Sequence, residues 1–318
     1  MAVDNKKVSL TDYMNLGRPD HWVKNLFMFP GLGLALAFAG QNQYSIHTTH
    51  LLMDLAVTFL SLCLASSANY TINEWLDRNF DKFHPEKSHR PSVAKQLSAK
   101  LVWSQYFALL SLSLITALVV SFIVLSLIVA LLLMGLLYNV PPVRLKDRYY
   151  LDVLSESINN PIRVALGWYV AVTDILFPAS ALVAFWAAGV FLMSLKRYTE
   201  ITILGESSSL VKYRASFKSW TPDRLLRFSV TGALTSTTFL GILLAGYKIE
   251  YILLFPSVCF LFQYYFGLAL SLKSEVSAPE DLWKNKSLNF QISLLMILAF
   301  VLSFVEISLL DKLIGFTQ

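Results

Sequence analysis

The feature that most limits this chain is a succession of apolar stretches, each close to twenty residues long, parted by shorter polar segments. A helix needs about 20 apolar residues to cross the hydrocarbon core of a bilayer. Nine stretches qualify, at 22–40, 51–72, 103–120, 122–140, 152–172, 179–198, 224–245, 250–271 and 289–309. The third and fourth form one run from Trp103 to Asn139, divided near Val120-Ser121 because its length is about twice one span. The fifth carries Glu156, Asn159, Asn160, Pro161 and Arg163, so that face must look into a bundle. The expected fold is all-α: a polytopic membrane helical bundle of about nine transmembrane helices, forming a single transmembrane domain over 1–318.

Composition closes off the other classes. The chain is 55% hydrophobic and 15% charged, where a soluble domain carries about a quarter of its residues as charges. So few charges also argue against disorder. Cys63 and Cys259 lie in separate apolar runs and supply neither a disulfide framework nor a metal cluster. Residues 1–22 hold Asp4, Lys6, Lys7, Asp12, Arg18 and Asp20 without an apolar core of the signal-peptide kind, so the first apolar run is expected to stay as a span. In a soluble protein a net charge of +5 would suggest nucleic acid. Here its placement says more than its sum, and no nucleic acid is expected.

With nine spans, every Lys and Arg falls on one side except Lys248, Lys312 and the intramembrane Arg163. The positive-inside rule then places the N-terminal segment 1–21 and the long loops near 77–102 and 198–223 in the cytoplasm, with the C-terminus opposite. In a bacterium this would be the inner membrane. The two long loops follow the second and sixth spans, the pattern of a tandem repeat of four helices. Function concentrates in long loops held by a rigid scaffold.

The second span ends in Asn69-Tyr-Thr-Ile-Asn73-Glu74-Trp-Leu-Asp77-Arg78-Asn-Phe-Asp81. If the helix continues, Asn73, Asp77 and Asp81 recur every four residues and form one stripe, with steps of about 6 Å. Oxygen donors on one stripe suit a hard cation such as Mg2+, which binds through one or two carboxylates plus substrate phosphates. The bland alternative is a solvated helix end decorated with charge. Against it stand Lys82, His84, Lys87 and Arg90, four actual or potential cations within ten residues of the acids. Arg grips phosphate bidentately and Lys acts as a point charge, which is what a diphosphate-bearing substrate needs. A second cluster, Lys196-Arg197-Tyr198-Thr199-Glu200, closes the sixth span. Arg18, Lys24, Asn25, Tyr138, Arg144, Lys146 and Asp152 sit near the other span ends on that side.

Asn73-Glu74-x-x-Asp77-x-x-x-Asp81 resembles the first aspartate-rich motif, N-D-x-x-D-x-x-x-D, of the UbiA superfamily of intramembrane prenyltransferases. Glu74 departs from the usual Asp but keeps the carboxylate. Where most members carry a second D-x-x-x-D, this chain has Lys196-Arg197-Tyr198-Thr199-Glu200. That departure is similar to one branch, the polyprenyl-phosphate (decaprenyl-phosphate) phosphoribosyltransferases. Arg18-Pro19-x-x-Trp22-x-Lys24-Asn25 and Asp81-x-x-His84-Pro85-x-Lys87-x-x-Arg90-Pro91 resemble that branch as well.

The resemblance implies a UbiA-like fold and Mg2+-dependent transfer of a 5-phosphoribosyl group from phosphoribosyl diphosphate to a polyprenyl phosphate. It implies metal ligation by Asn73, Asp77 and Asp81. Substrate contacts would come from Lys24, Asn25, Lys82, Lys87, Arg90, Tyr138, Arg144, Lys146, Lys196, Arg197 and Glu200. The nearest rival reading is a prenyltransferase joining a prenyl diphosphate to an aromatic acceptor, for which Glu200 alone is a thin second cluster. A transporter or lipid flippase is a further rival, but it would gather ionisable groups at the midplane rather than at one face.

Overall fold

The computed structural model describes residues 8–42, 50–85, 87–205, 208–272, 276 and 284–310. Lys6, Lys7, Lys273 and Lys312, which enter the charge-sidedness argument, lie outside the described residues. The described residues are helical or irregular, with no strand among them. They divide into two compact units, one reaching to Leu176 and taking in Leu204–Thr221, the other made of Phe177–Ile203 and the chain from Pro222 onward.

In the first unit, α1 (Leu10–Leu16) leads into a tight 3-10 stretch, Pro19–Phe27, and then α2 (Met28–Asn42). Helix α3 (Leu51–Asp81) is the longest, at 31 residues. After the short α4 (Pro91–Ala94) come α5 (Ala99–Val120) and α6 (Phe122–Asn139). The division expected near Val120-Ser121 is where the chain turns: Ser121 ends α5, and its side chain accepts from the Val124 amide at 3.1 Å to cap α6.

The fifth span departs from expectation. Instead of one helix over 152–172 there are two, α7 (Leu151–Ser157) and α8 (Asn159–Ala171), meeting at Ile158. Pro161, which lacks an amide hydrogen, sits in the first turn of α8, where that loss costs least. Ser157 also turns its hydroxyl back onto the Val153 carbonyl, 2.7 Å away. Side chains from α2, α3, α5, α6 and α8 form one apolar core, including Met28, Leu62, Ile72, Ile128 and Leu166.

The second unit contains α9 (Ala179–Leu204), α11 (Pro222–Tyr247), α12 (Phe255–Leu270) and α13 (Lys286–Phe304). Between α9 and α11 the first unit receives α10 (Ser208–Tyr213). Phe191, Leu195 and Tyr265 anchor one core of the second unit, and Leu244, Tyr251, Leu254 and Leu302 another. Among the described residues, seven helical stretches are long and apolar enough to cross a membrane, and the apolar part of α13 is shorter. The expected count of nine is therefore not reached by that measure, because the fifth span is broken and the apolar part of the ninth is short.

Candidate active site

Helix α3 continues without interruption through Asp81, so Asn73, Asp77 and Asp81 do lie on one stripe. What surrounds them comes from distant parts of the first unit. Lys146, in the turn after α6, donates to Asn73 Oδ1 at 2.9 Å, Asp77 Oδ2 at 2.6 Å and Asn139 Oδ1 at 2.7 Å. Arg144 pairs with the other oxygen of Asp77 at 2.8 Å and with Asp147 at 2.6 Å. Arg90 reaches Asp81 at 2.8 Å and stands 3.5 Å from Glu74, which Arg18 approaches at 3.8 Å. Glu74, Asp77 and Asp81 of α3, together with Asp147, thus meet four cations.

The stripe is not gathered on a single point. Asn73 and Asp77 share Lys146, while Asp81 is turned to Arg90. Among the described residues no three His, Cys, Asp or Glu side chains are grouped closely enough to hold a metal. The oxygen donors nevertheless suit a hard cation. Asn73, Asp77 and Asn139 already enclose one positive charge, the Lys146 ammonium, and Glu74 Oε2 is buried with no hydrogen-bond partner. A divalent ion bound there would require Lys146 to yield its place.

Burial pushes the Lys146 pKa down to about 8, against the pull of Asp77. Burial also opposes the charge on Arg90, but Glu74 and Asp81 outweigh it and hold its pKa above the usual value. Two of the four cations sit on strained backbone. Arg18 has φ 45° and Arg144 φ 33°, a left-handed region uncommon outside glycine. Such residues persist only where their surroundings over-determine them, and they gather at functional sites. Both side chains here face carboxylates. A cleft of about 360 Å³, lined by Arg18, Asp20, Glu74 and Arg90 among others, opens beside them.

The remaining expected residues fall into four groups. Lys87 and Tyr138 lie at the rim: Lys87 bonds Tyr213, whose ring also packs on His84, and Tyr138 donates to Glu156 at 2.6 Å and receives from Arg214 at 3.0 Å. Lys24 is half-buried against His21, while Asn25 is wholly buried among Cys63, Ser66 and Arg163. Lys82 is exposed and lies over the Phe83 ring, away from the carboxylates. Lys196, Arg197 and Glu200 belong to α9 of the second unit, where Arg197 is almost wholly buried and pairs with Glu200 at 2.7 Å.

Sequence reasoning missed Asn139, Tyr213 and Arg214. Asn139 had a readable signal, an amide closing an otherwise apolar span. Tyr213 and Arg214 had none, because only the tertiary fold brings 208–220 against α7. Asp152, left without a role, fixes that segment by accepting from Ser216 at 2.9 Å and Trp220 at 3.0 Å.

The UbiA prenyltransferase family model matches residues 27–295, which takes in the acid stripe and most of both units. The chain belongs to the UbiA prenyltransferase family. Its fold is similar to a UbiA homolog from Archaeoglobus fulgidus, solved bound to GPP and Mg2+, with TM-score 0.68 and 17% identity over 92% of this chain and 100% of that one. Among curated relatives, nodulation protein NoeC of Azorhizobium caulinodans is 27% identical over 62% of this chain and 60% of its own length. The decaprenyl-phosphate phosphoribosyltransferase of Corynebacterium glutamicum is 29% identical over 73% and 68%, and that of Mycolicibacterium smegmatis 27% over 69% and 65%. The chain thus spans about two thirds of the length of the curated relatives it matches.

Proposed function

We propose that this UbiA protein transfers a 5-phosphoribosyl group from phosphoribosyl diphosphate to a polyprenyl phosphate, releasing diphosphate. The observation that carries the reading is the charge balance. Four cations crowd the acid stripe, and on α9 the one carboxylate of the second cluster is already committed to Arg197. A donor and an acceptor that are both phosphorylated ask for more positive charge than a prenyl diphosphate and an aromatic ring. The names of two of the relatives above point the same way.

In this reading Asn73 and Asp77, with Asp81, would hold Mg2+. The ion supplies Lewis-acid stabilisation of the leaving group. Arg144, Lys146 and Arg90, no longer needed by the carboxylates, turn to the diphosphate oxygens as point charges and forks. Lys87 extends that grip at the rim. The role proposed for Lys196 and Arg197 is to hold a phosphate of one substrate. A phosphate oxygen of the acceptor forms the bond to ribose C1 as the bond from C1 to the diphosphate oxygen breaks and its electron pair leaves with diphosphate. The acceptor phosphate is anionic at neutral pH, so no side chain has to remove a proton, and catalysis rests on positioning and electrostatics. The charge bias of the loops supports a cytoplasmic face for this chemistry.

The test is turnover by purified protein in detergent with phosphoribosyl diphosphate, a short polyprenyl phosphate and Mg2+. Diphosphate release should need all three. Release that requires an aromatic acid and a prenyl diphosphate, and ignores phosphoribosyl diphosphate, would overturn the proposal in favour of aromatic prenylation.

A further inference from the structure

Arg163 lies in the middle of the fifth apolar run, with Glu156 nearer its start, and its surroundings are unlike those of the other cations. It is 9% exposed. Its Nε donates to Asn25 Oδ1 at 3.1 Å, and among the described residues its remaining N–H groups donate to none. Asn25 Oδ1 also accepts from Ser66 at 3.2 Å, and Asn25 Nδ2 donates to Cys63 Sγ at 3.3 Å. Every partner is neutral. Glu156, two turns earlier, is bonded to Tyr138 and acts on Arg163 only at longer range, as does Tyr70. The helical pairing of Glu156 with Arg163 that spacing alone would allow is not formed. A guanidinium held this way is costly: a charge at mid-span costs about 2.5–3.5 kcal/mol on insertion scales.

The backbone fixes this side chain firmly. A Cβ on Gly167 would come within 1.8 Å of the Met28 carbonyl oxygen, and one on Gly31 within 1.8 Å of that of Val164. Helices α2 and α8 therefore touch backbone to backbone, as small residues permit inside membranes. That contact clamps Arg163 beside Asn25. Ser66, Tyr70, Asn73 and Asp77 fall along one face of α3. The Ser66 level, where Arg163 is tied in, lies seven residues below Asn73, or about 10 Å along the axis. The attacking phosphate and the leaving diphosphate face each other across ribose C1, so their grips have to stand at separate levels along α3.

We propose that Arg163 is the anchor for the acceptor's phosphate, its two free-facing nitrogens gripping phosphate oxygens bidentately. The inference rests on the phosphoribosyl-transfer reading and deepens it. Arg163 sets the attacking oxygen on the far side of ribose C1 from the leaving diphosphate. The alternative phosphate, the 5-phosphate of the donor, is soluble and arrives at the stripe end. A lipid's phosphate arrives with its chain already between helices, the depth at which Arg163 stands.

The experiment measures binding of geranylgeranyl phosphate, geranylgeraniol and phosphoribosyl diphosphate with Mg2+ to the detergent-solubilised protein. The unmodified protein should prefer geranylgeranyl phosphate to the alcohol. Arg163→Gln should weaken the lipid phosphate by about tenfold or more, leaving the alcohol and the donor within about twofold, and Arg163→Lys should recover part of the loss. If Arg163→Gln does not fold, Arg163→Lys carries the test, because its loss should still be confined to the phosphate. No preference for phosphate over alcohol in the unmodified protein, or a loss that falls on phosphoribosyl diphosphate instead, overturns the proposal. Turnover separates the two claims. Phosphate-selective binding without phosphoribosyl transfer sinks only the reaction, whereas transfer with unchanged lipid-phosphate affinity in the variants sinks only the anchor.

Discussion

The two units of this UbiA protein balance their charges in different ways. On α3 the carboxylates are spaced along one stripe, and their counter-charges come from elsewhere: Arg18 before α2, Arg90 after α3, and Arg144 and Lys146 after α6. On α9 one pair lies within a single helix, Arg197 with Glu200 three residues on. The first arrangement depends on tertiary folding and leaves Glu74 Oε2 with no hydrogen-bond partner. The second can form within a single helix. A site that must exchange partners with a polyanion is better built the first way, because its cations come from separate segments that can converge on the same phosphate oxygens.

The largest expected difference between the regions is in turnover. Asp77→Ala should lower kcat/KM by about a thousandfold, on the scale of losing a principal electrostatic group, and should abolish the dependence of diphosphate release on added Mg2+. Retention of a normal metal titration would remove Asp77 from the metal role. Lys146→Met comes next. It strips the shared ammonium from Asn73, Asp77 and Asn139, and breaking a buried pair costs about 3–5 kcal/mol, which a fall in melting temperature in detergent would register. Added Mg2+ should restore part of that fall, since the ion takes the same oxygens. An equal fall with and without the ion would contradict the shared position.

The α9 pair gives a finer test. Arg197→Met removes the guanidinium that pairs with the buried Glu200 at 2.7 Å and should destabilise by about the same 3–5 kcal/mol. Arg197→Met with Glu200→Leu should regain the melting temperature but not the substrate affinity. Recovery of both would make the pair purely structural. Smaller again is the packing comparison. Gly167→Ala should cost about 1–3 kcal/mol from overpacking, and Gly232→Ala less, since its Cβ would stand 2.8 Å from the nearest backbone atom rather than 1.8 Å. Smallest is Lys82→Ala, exposed and outside the charge cluster, which should change kcat/KM by no more than about twofold.

Much of the fold was legible because span length is a hard physical requirement and apolar runs record it directly. The turn at Ser121 and the four-residue stripe on α3 follow from such local rules. The break at Ile158 was harder to see, because Asn159, Asn160 and Pro161 read equally well as the polar face of a continuous helix. In the site, Asn73, Asp77, Arg90, Arg144 and Lys146 were singled out by type and position, and the structure does bring them together. The division of the stripe between Lys146 and Arg90 was not legible, since it depends on where two distant turns land. Lys82 shows the converse. Its place in a basic segment looked meaningful, yet its helix-end geometry points it outward.

The Lys146 bridge has a consequence for the order of events. Because an ammonium already neutralises the oxygens intended for a metal, the pocket can rest in its folded shape between turnovers, its acids neither repelling one another nor drawing in stray cations. In the proposed reaction, loading the donor would be a swap of one positive charge for another, and the displaced lysine would be left beside the very diphosphate whose arrival displaced it.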